Sequence, residues 1–417
     1  MDQAANFLSQ LAEHWRYFSI PFITALVGGA TNWLAIKMTL YPVEFVGRRP
    51  FGWQGIVPSM AGKFGGVLAD HSLIKIGGLE AINDALDYES IKTYVLEASD
   101  PLIEEFVNEV MREQNRVLWE NLPGPSKQAI YSIVRLKLES KLDPMVDDLS
   151  SNITRLIDLR AFVVSRLEGN RGLINEVVLA CAQPELRVLV NSGFILGFIF
   201  GIVQAFVWAI LPAWWVLPAF GVLVGATTNW IAIQLIFRPL YPTKIGPFVL
   251  HGLFLKRQPE VSKEFAEVFT HKLLNVRELT RELLHGKRKD KTYAMVRKHL
   301  SEAIEEDILT QALTQITLGP ERFANLKDIA LAKAVEYTDE LADDPAFNEQ
   351  QARSIEGMLR DKLSSQPPEE FQNLVRPIFQ KDEWILLAVG GALGGLAGWG
   401  QLVWLFGDQL LKAVQVN

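Results

Sequence analysis

The sequence predicts an all-α integral membrane protein built as a tandem parallel repeat. Each unit reads as a transmembrane helix, a helical cytoplasmic domain and a second transmembrane helix, giving four membrane helices in all. Three observations predict this: four long apolar stretches, a motif that occurs twice, and charged segments between them with helical periodicity.

A helix needs about 20 mostly apolar residues to cross about 30 Å of hydrocarbon. Residues 20–40, 193–211, 216–237 and 385–406 meet that requirement. Between the second and third lies only Pro212-Ala-Trp-Trp215, so these two form a tight hairpin whose paired tryptophans suit the bilayer interface. Lys37 falls inside the first stretch but near its end, where its ammonium reaches the headgroups. The chain divides into an N-terminal segment and first span (1–41), a first helical domain (42–192), the span hairpin (193–237), a second helical domain (238–384), and the last span with its tail (385–417).

Charged residues make up 21% of the chain and apolar ones 49%, a mixture that leaves room for large water-facing segments beside the spans. The net charge of −7 gives no basic excess for nucleic acid. A lone cysteine, Cys181, excludes a disulfide framework and a cysteine-rich zinc cluster. Asp2 and Glu13 stand where a secretory signal carries basic residues, so a cleaved signal is not expected.

Orientation is set by Lys and Arg near the span ends. Arg48 and Arg49 follow the first span, and Arg238, Lys244, Lys256 and Arg257 follow the third. The opposite ends offer Arg16, Lys412 and an uncharged turn. Both large segments are therefore expected in the cytoplasm and both termini outside.

The repeat rests on Val27–Pro42 against Val224–Pro239, identical at 8 of 16 positions with an offset of 197. The same offset pairs Gly55 with Gly252. A second match pairs Glu185, Gly193 and Gly197 with Glu383, Gly391 and Gly395, at an offset of 198. Spans one and three then enter the cytoplasm in the same direction, as parallel copies do. Within the charged segments, 126–142 and 291–318 show helical spacing of apolar residues, with breaks at Pro123-Gly-Pro125 and Pro367-Pro368. Strand-like alternation is scarce.

The sharpest motif is Thr31-Asn32-Trp33, repeated as Thr228-Asn229-Trp230, with Lys37 and Gln234 towards the cytoplasmic ends. An amide in hydrocarbon must find hydrogen bonds. Two arrangements satisfy it: interhelical glue, with the asparagines bonding across the repeat axis, or a broken helix lining a site. Gly193, Gly197 and Gly201 form one small-residue face for close helix packing, and Gly390, Gly394 and Gly398, beside Gly391 and Gly395, form another, within the chain or between copies. Arg48, Arg49, Trp53, Lys244, Lys256 and Arg257 set cations beside aromatic and apolar groups, which suits contact with anionic lipid headgroups. The histidines make no metal-ligand pattern, and neither a phosphate loop nor a nucleophile elbow occurs. No catalytic residue, metal or cofactor is expected.

Gly225-Ala-Thr-Thr-Asn-Trp-Ile-Ala-Ile233 followed by Phe237-Arg-Pro239, and Glu185-Leu186 followed by Gly193, Gly197, Gly201 and Gln204, resemble the bacterial membrane-protein family called domain of unknown function 445. The likeness covers most of the chain. The last span departs from it, carrying Trp399 where an offset of 198 calls for the counterpart of Gly201. The resemblance implies a multi-pass inner-membrane protein with helical cytoplasmic regions, and implies no reaction or cofactor.

These features together point to a non-enzymatic membrane scaffold that self-associates as a homo-oligomer through its glycine-rich spans, with membrane lipids as partners and no nucleic acid. The alternative is a transporter or lipid-handling protein with a site between the repeats.

Overall fold

The computed structural model describes residues 2–48, 51–305, 320–374, 376 and 383–415. It is almost entirely helical. The first apolar stretch lies in α1 (Asp2–Leu40). The short α2 (Ile56–Ser59) and α3 (Ala61–Val67) follow, then α4 (Gly78–Ala85), α5 (Tyr88–Ser99), α6 (Ile103–Glu120), α7 (Gly124–Leu156) and α8 (Leu159–Gly169). The second and third apolar stretches form α9 (Gly172–Ile210) and α10 (Val216–Phe237). After a hairpin of β1 (Thr243–Ile245) and β2 (Phe248–Leu250) come α11 (Leu253–Lys256), α12 (Gln258–Lys272), α13 (Val276–His285) and α14 (Lys289–Glu305). The chain ends in α15 (Pro320–Ala342), α16 (Pro345–Ser364), α17 (Pro368–Phe371) and α18 (Glu383–Gln415).

Both expected breaks are present, between α6 and α7 and between α16 and α17. The helix expected at 126–142 is the middle of α7, which runs on through Pro144. Of the one expected at 291–318, α14 accounts for the part up to Glu305, and residues 306–318 lie outside the described ones. The β1–β2 hairpin is the departure from a purely helical reading. It forms because Gly246 adopts a left-handed φ of +60° at the turn, between short runs that contain Thr, Ile and Val.

The chain folds into two compact units, and each draws on both halves of the sequence. One comprises 1–67, 167–265 and 363–417; the other comprises 68–166 and 266–362. This differs from the division at 42–192 and 238–384. The long α9 is the main reason: Leu173, Ile174, Val177, Val178, Cys181 and Ala182 continue the buried stripe well ahead of Gly193, so no boundary falls there.

In the first unit, four helices are long and apolar enough to cross a membrane: Tyr17–Leu40, Gly172–Ile210, Val216–Phe237 and Trp384–Gly407. They form two close pairs, α1 with α9 and α10 with α18. Gly28 meets Gly193, Thr24 meets Gly197 and Pro21 meets Gly201, so α1 and α9 run antiparallel. Gly225 meets Gly390, Gly221 meets Gly394 and Leu217 meets Gly398, so α10 and α18 do the same. The short turn at 211–215 reverses α9 into α10, which places the C-terminal ends of α1 and α10 at one end of the bundle. A cluster of Ile20, Trp208, Val216, Leu217, Leu402 and Phe406 fills the other end. The outward face is apolar too: Phe22, Leu26, Phe206 and Trp404 are exposed, Trp404 by 91%. A band of that kind is what hydrocarbon, rather than water, solvates.

The second unit is a helical body. Asn108 accepts hydrogen bonds from Trp119 Nε1 at 2.8 Å and the Tyr131 hydroxyl at 2.9 Å, which joins α6 to α7. Tyr94 stacks on Phe347 with centroids 4.0 Å apart, and His299 Nε2 lies 2.9 Å from Asp148 Oδ2. Those contacts tie α5 and α7 to α16 and α14, so the two sequence segments share one core. Asp87 caps α5 by accepting from the Ser90 amide, and Asn275 caps α13 by accepting from that of Glu278.

Candidate functional site

The polar motif sits inside the four-helix bundle. Asn32 is 0% exposed and Asn229 3%. Each side-chain amide donates to a backbone carbonyl of the paired helix: Asn32 Nδ2 to Leu189 O at 2.8 Å, and Asn229 Nδ2 to Leu386 O at 2.9 Å. The asparagines therefore bond within their own helix pairs and not to each other across the axis. Thr31 and Thr228 turn back onto their own helices, donating to Gly28 O and Gly225 O. Both helices pass through the motif unbroken. Trp33 and Trp230 point outward, each about half exposed. Helical geometry explains the split, since consecutive residues diverge by about 100°. Lys37 is exposed and lies over the Tyr41 ring at 5.3 Å, while Gln234 is half-buried.

Donor, acceptor and three close-packed glycines recur at one spacing. Leu189 and Leu386 are 197 residues apart, as are Gly193 and Gly390, Gly197 and Gly394, and Gly201 and Gly398. The offset of 198 thus gives way to 197. Gly390, Gly394 and Gly398 face the backbone of α10, whereas Gly391 and Gly395 face side-chain atoms of Val222. At that spacing Gly398, not Trp399, aligns with Gly201. Gly193, Gly197 and Gly201 of α9 pack against α1 of the same chain, because only a missing Cβ lets the backbones approach so closely: a Cβ on Gly193 would lie 2.5 Å from Gly28 O.

Several polar groups in the bundle carry no sequence motif. The Thr24 hydroxyl lies 2.8 Å from both Ile20 O and Gln204 Oε1. Asn175 Nδ2 donates to Leu40 O at 2.5 Å, which caps the end of α1. Gln401, 197 residues after Gln204, lines a cavity of about 10 Å³ together with Thr24, Gln204 and seam glycines. A second cavity of about 30 Å³ lies where α1, α9, α10 and α18 converge, lined by Ala35, Ile36, Thr39, Ile233 and Phe237 around Asn229. The Oδ1 atoms of Asn32 and Asn229 have no hydrogen-bond partner.

At the end where α1 and α10 finish, two loops repeat the same construction. Val46 and Trp53 exchange backbone hydrogen bonds of 3.0 and 2.8 Å, and Thr243 pairs with Leu250 in the β1–β2 hairpin. The Gly55 amide donates to Pro42 O and the Gly252 amide to Pro239 O, both at 2.9 Å. Arg48, Lys244 and Lys256 are exposed there, Trp53 partly so, and Arg49 lies outside the described residues. The Tyr241 hydroxyl donates to Glu369 at 2.6 Å, which raises the tyrosine's pKa and lowers the carboxylate's.

Arg257 does not share the outward position expected of it. Its Nη1 lies 2.9 Å from both oxygens of Glu185, which is 2% exposed, and its Nη2 lies 3.6 Å from Glu264. A buried carboxylate requires a charge partner, and that requirement outweighs a headgroup contact. Among the described residues, no group of three or more His, Cys, Asp or Glu could hold a metal. Compared with family models, curated proteins and solved structures, the chain matches none.

Proposed function

We propose that the protein is a non-enzymatic scaffold of the bacterial inner membrane, formed by tandem duplication of one unit and anchored by four transmembrane helices. The duplication reading rests on the single spacing of 197 shared by the asparagine bonds, the glycine seams and the two loops. The cytoplasmic side is assigned to segments 42–192 and 238–384 because Arg48, Arg238, Lys244 and Lys256 follow the ends of α1 and α10, while the turn at 211–215 has no charge. Both termini then lie outside.

One observation carries the scaffold reading. The glycine seams are spent inside the chain on closing the anchor, backbone against backbone, which suits a rigid anchor. Self-association then uses the outward apolar faces, such as Phe206 and Trp404, and not the glycines. Native mass spectrometry of the protein in detergent-free lipid particles tests this. A discrete multimer with exchangeable lipid is expected; a monomer with a fixed number of retained small molecules would overturn it.

The second reading, a transporter or lipid-handling protein, is favoured by Asn229, whose unpartnered Oδ1 borders the cavity of about 30 Å³. On that reading, Asn32→Leu with Asn229→Leu abolishes ligand retention and leaves folding intact. Loss of folding without a change in retained ligand would count for the scaffold.

A further inference from the structure

We propose that the two loops at the ends of α1 and α10 insert their tips into the headgroup layer of an anionic leaflet, as a matched pair of membrane wedges. This rests on the reading that the four apolar helices cross a bilayer. It adds a second, shallower mode of contact with the same lipids.

The exposed apolar residues of the loops carry the argument. Phe51, near the tip of the first loop, is 95% exposed, and Val46 at its base and Val249 and Leu250 on β2 are exposed as well. Apolar groups presented by short hairpins, away from any core, need an apolar environment. The loops begin directly after Leu40 and Phe237, where the membrane-length helices end, so both leave the bundle at the same end. Each loop is tied down at its base. The Gly55–Pro42 and Gly252–Pro239 backbone bonds hold both to the helix ends, and cross-strand bonds at Val46–Trp53 and Thr243–Leu250 stiffen them. The tips therefore stand at a set depth relative to α1 and α10.

Charge selects the kind of lipid. Lys37, Arg48, Lys244 and Lys256 are exposed around the two loops. Of the acidic groups beside them, Glu44 lies 3.6 Å from Arg171, and Glu369 keeps its charge while accepting from Tyr241. Four exposed cations against those two carboxylates leave a cationic excess beside the exposed apolar residues, the pattern that suits anionic phospholipid.

The native Cys181 is fully buried, so an introduced cysteine can be spin-labelled selectively. Labels at Phe51→Cys, Val249→Cys and, as a reference on the lipid-facing side of α1, Leu26→Cys are read by oxygen and nickel accessibility. The full chain is placed in nanodiscs of phosphatidylcholine with or without phosphatidylglycerol. The expected result is several-fold oxygen preference at all three sites. Depth at 51 and 249 should increase with phosphatidylglycerol, and Arg48→Glu with Lys244→Glu should abolish that increase. Nickel preference at 51 and 249 with oxygen preference at 26 would overturn the wedges and leave the membrane anchor standing. Nickel preference at 26 too would overturn both. Insertion indifferent to lipid charge would overturn the anionic selectivity.

Discussion

Arg257 grips the carboxylate of Glu185 with Nη1 2.9 Å from each oxygen, at a point on α9 where Glu185 is 2% exposed. The two residues are 72 apart in sequence and come from opposite halves of the chain. Positions 197 away carry no equivalent pair: Met60 stands opposite Arg257 and Asp382 opposite Glu185. Arg257→Ala strands a buried carboxylate and should cost about 2–3 kcal/mol, below the full penalty because Arg257 is itself 26% exposed. Glu185→Leu with Arg257→Met should restore most of the loss. Thermal unfolding in lipid particles checks both; an Arg257→Ala midpoint equal to that of the unmodified protein would show that the bridge adds nothing.

A second prediction concerns the helical body. Asn108 Oδ1 accepts from two donors, on side chains that are 1% and 5% exposed. Asn108→Leu removes the acceptor and leaves the Trp119 indole N–H and the Tyr131 hydroxyl without it. Stranding two such donors should cost about 2–4 kcal/mol. Trp119→Phe with Tyr131→Phe in the Asn108→Leu background should recover part of that, since no donor is then stranded. The measurement is the thermal unfolding midpoint of the full chain for each variant; equal midpoints for Asn108→Leu and the unmodified protein would show that the acceptor adds nothing.

Four apolar stretches were enough to locate the membrane-length helices because length and hydropathy are local properties. The third, 216–237, coincides with α10. The compact units were not legible, because they depend on which segments share a core. Tyr94 finds Phe347, and Asp148 finds His299, across distances no periodicity encodes. The asparagines were legible as buried amides, but their acceptors are main-chain carbonyls of Leu189 and Leu386, and a backbone atom leaves no mark in the sequence. Arg257 was misread for a related reason. Its neighbours in sequence look interfacial, and only the fold brings Glu185 to it.

Acid should weaken the helical body through Asp148. The hydrogen bond with His299 holds this carboxyl below its usual range, helped by the charges of Lys298 and His299 and by Asn152. A depressed folded pKa adds stability above the unfolded value, and that stability is lost as pH falls through the folded value. The decline should therefore run from about pH 4 downward, where a free aspartate begins to protonate. His299→Ala should lower stability at neutral pH and flatten that acid limb. An acid limb of unchanged slope would mean that other carboxylates account for it.

The glycine seam offers the sharpest discrimination, because neighbouring residues predict opposite outcomes. In α18 the neighbours Gly394 and Gly395 lie one against backbone and the other against a side chain. A Cβ on Gly394 would collide with the Gly221 carbonyl, which belongs to a helix and cannot retreat alone. A Cβ on Gly395 would meet Val222 Cγ2 at 2.8 Å, the far end of a side chain that can rotate. Overpacking typically costs about 1–3 kcal/mol where neighbours can adjust, and more where backbone must move. Gly394→Leu should therefore separate α18 from α10 and lower the unfolding midpoint sharply, while Gly395→Leu should be tolerated. Gly197→Leu belongs with Gly394→Leu, since a Cβ there would lie 2.6 Å from Thr24 O. At a spacing of 198, Gly395 rather than Gly394 would align with Gly197 and would be the severe substitution. Equal tolerance at 394 and 395 would sink the seam; a reversed order would restore the other offset.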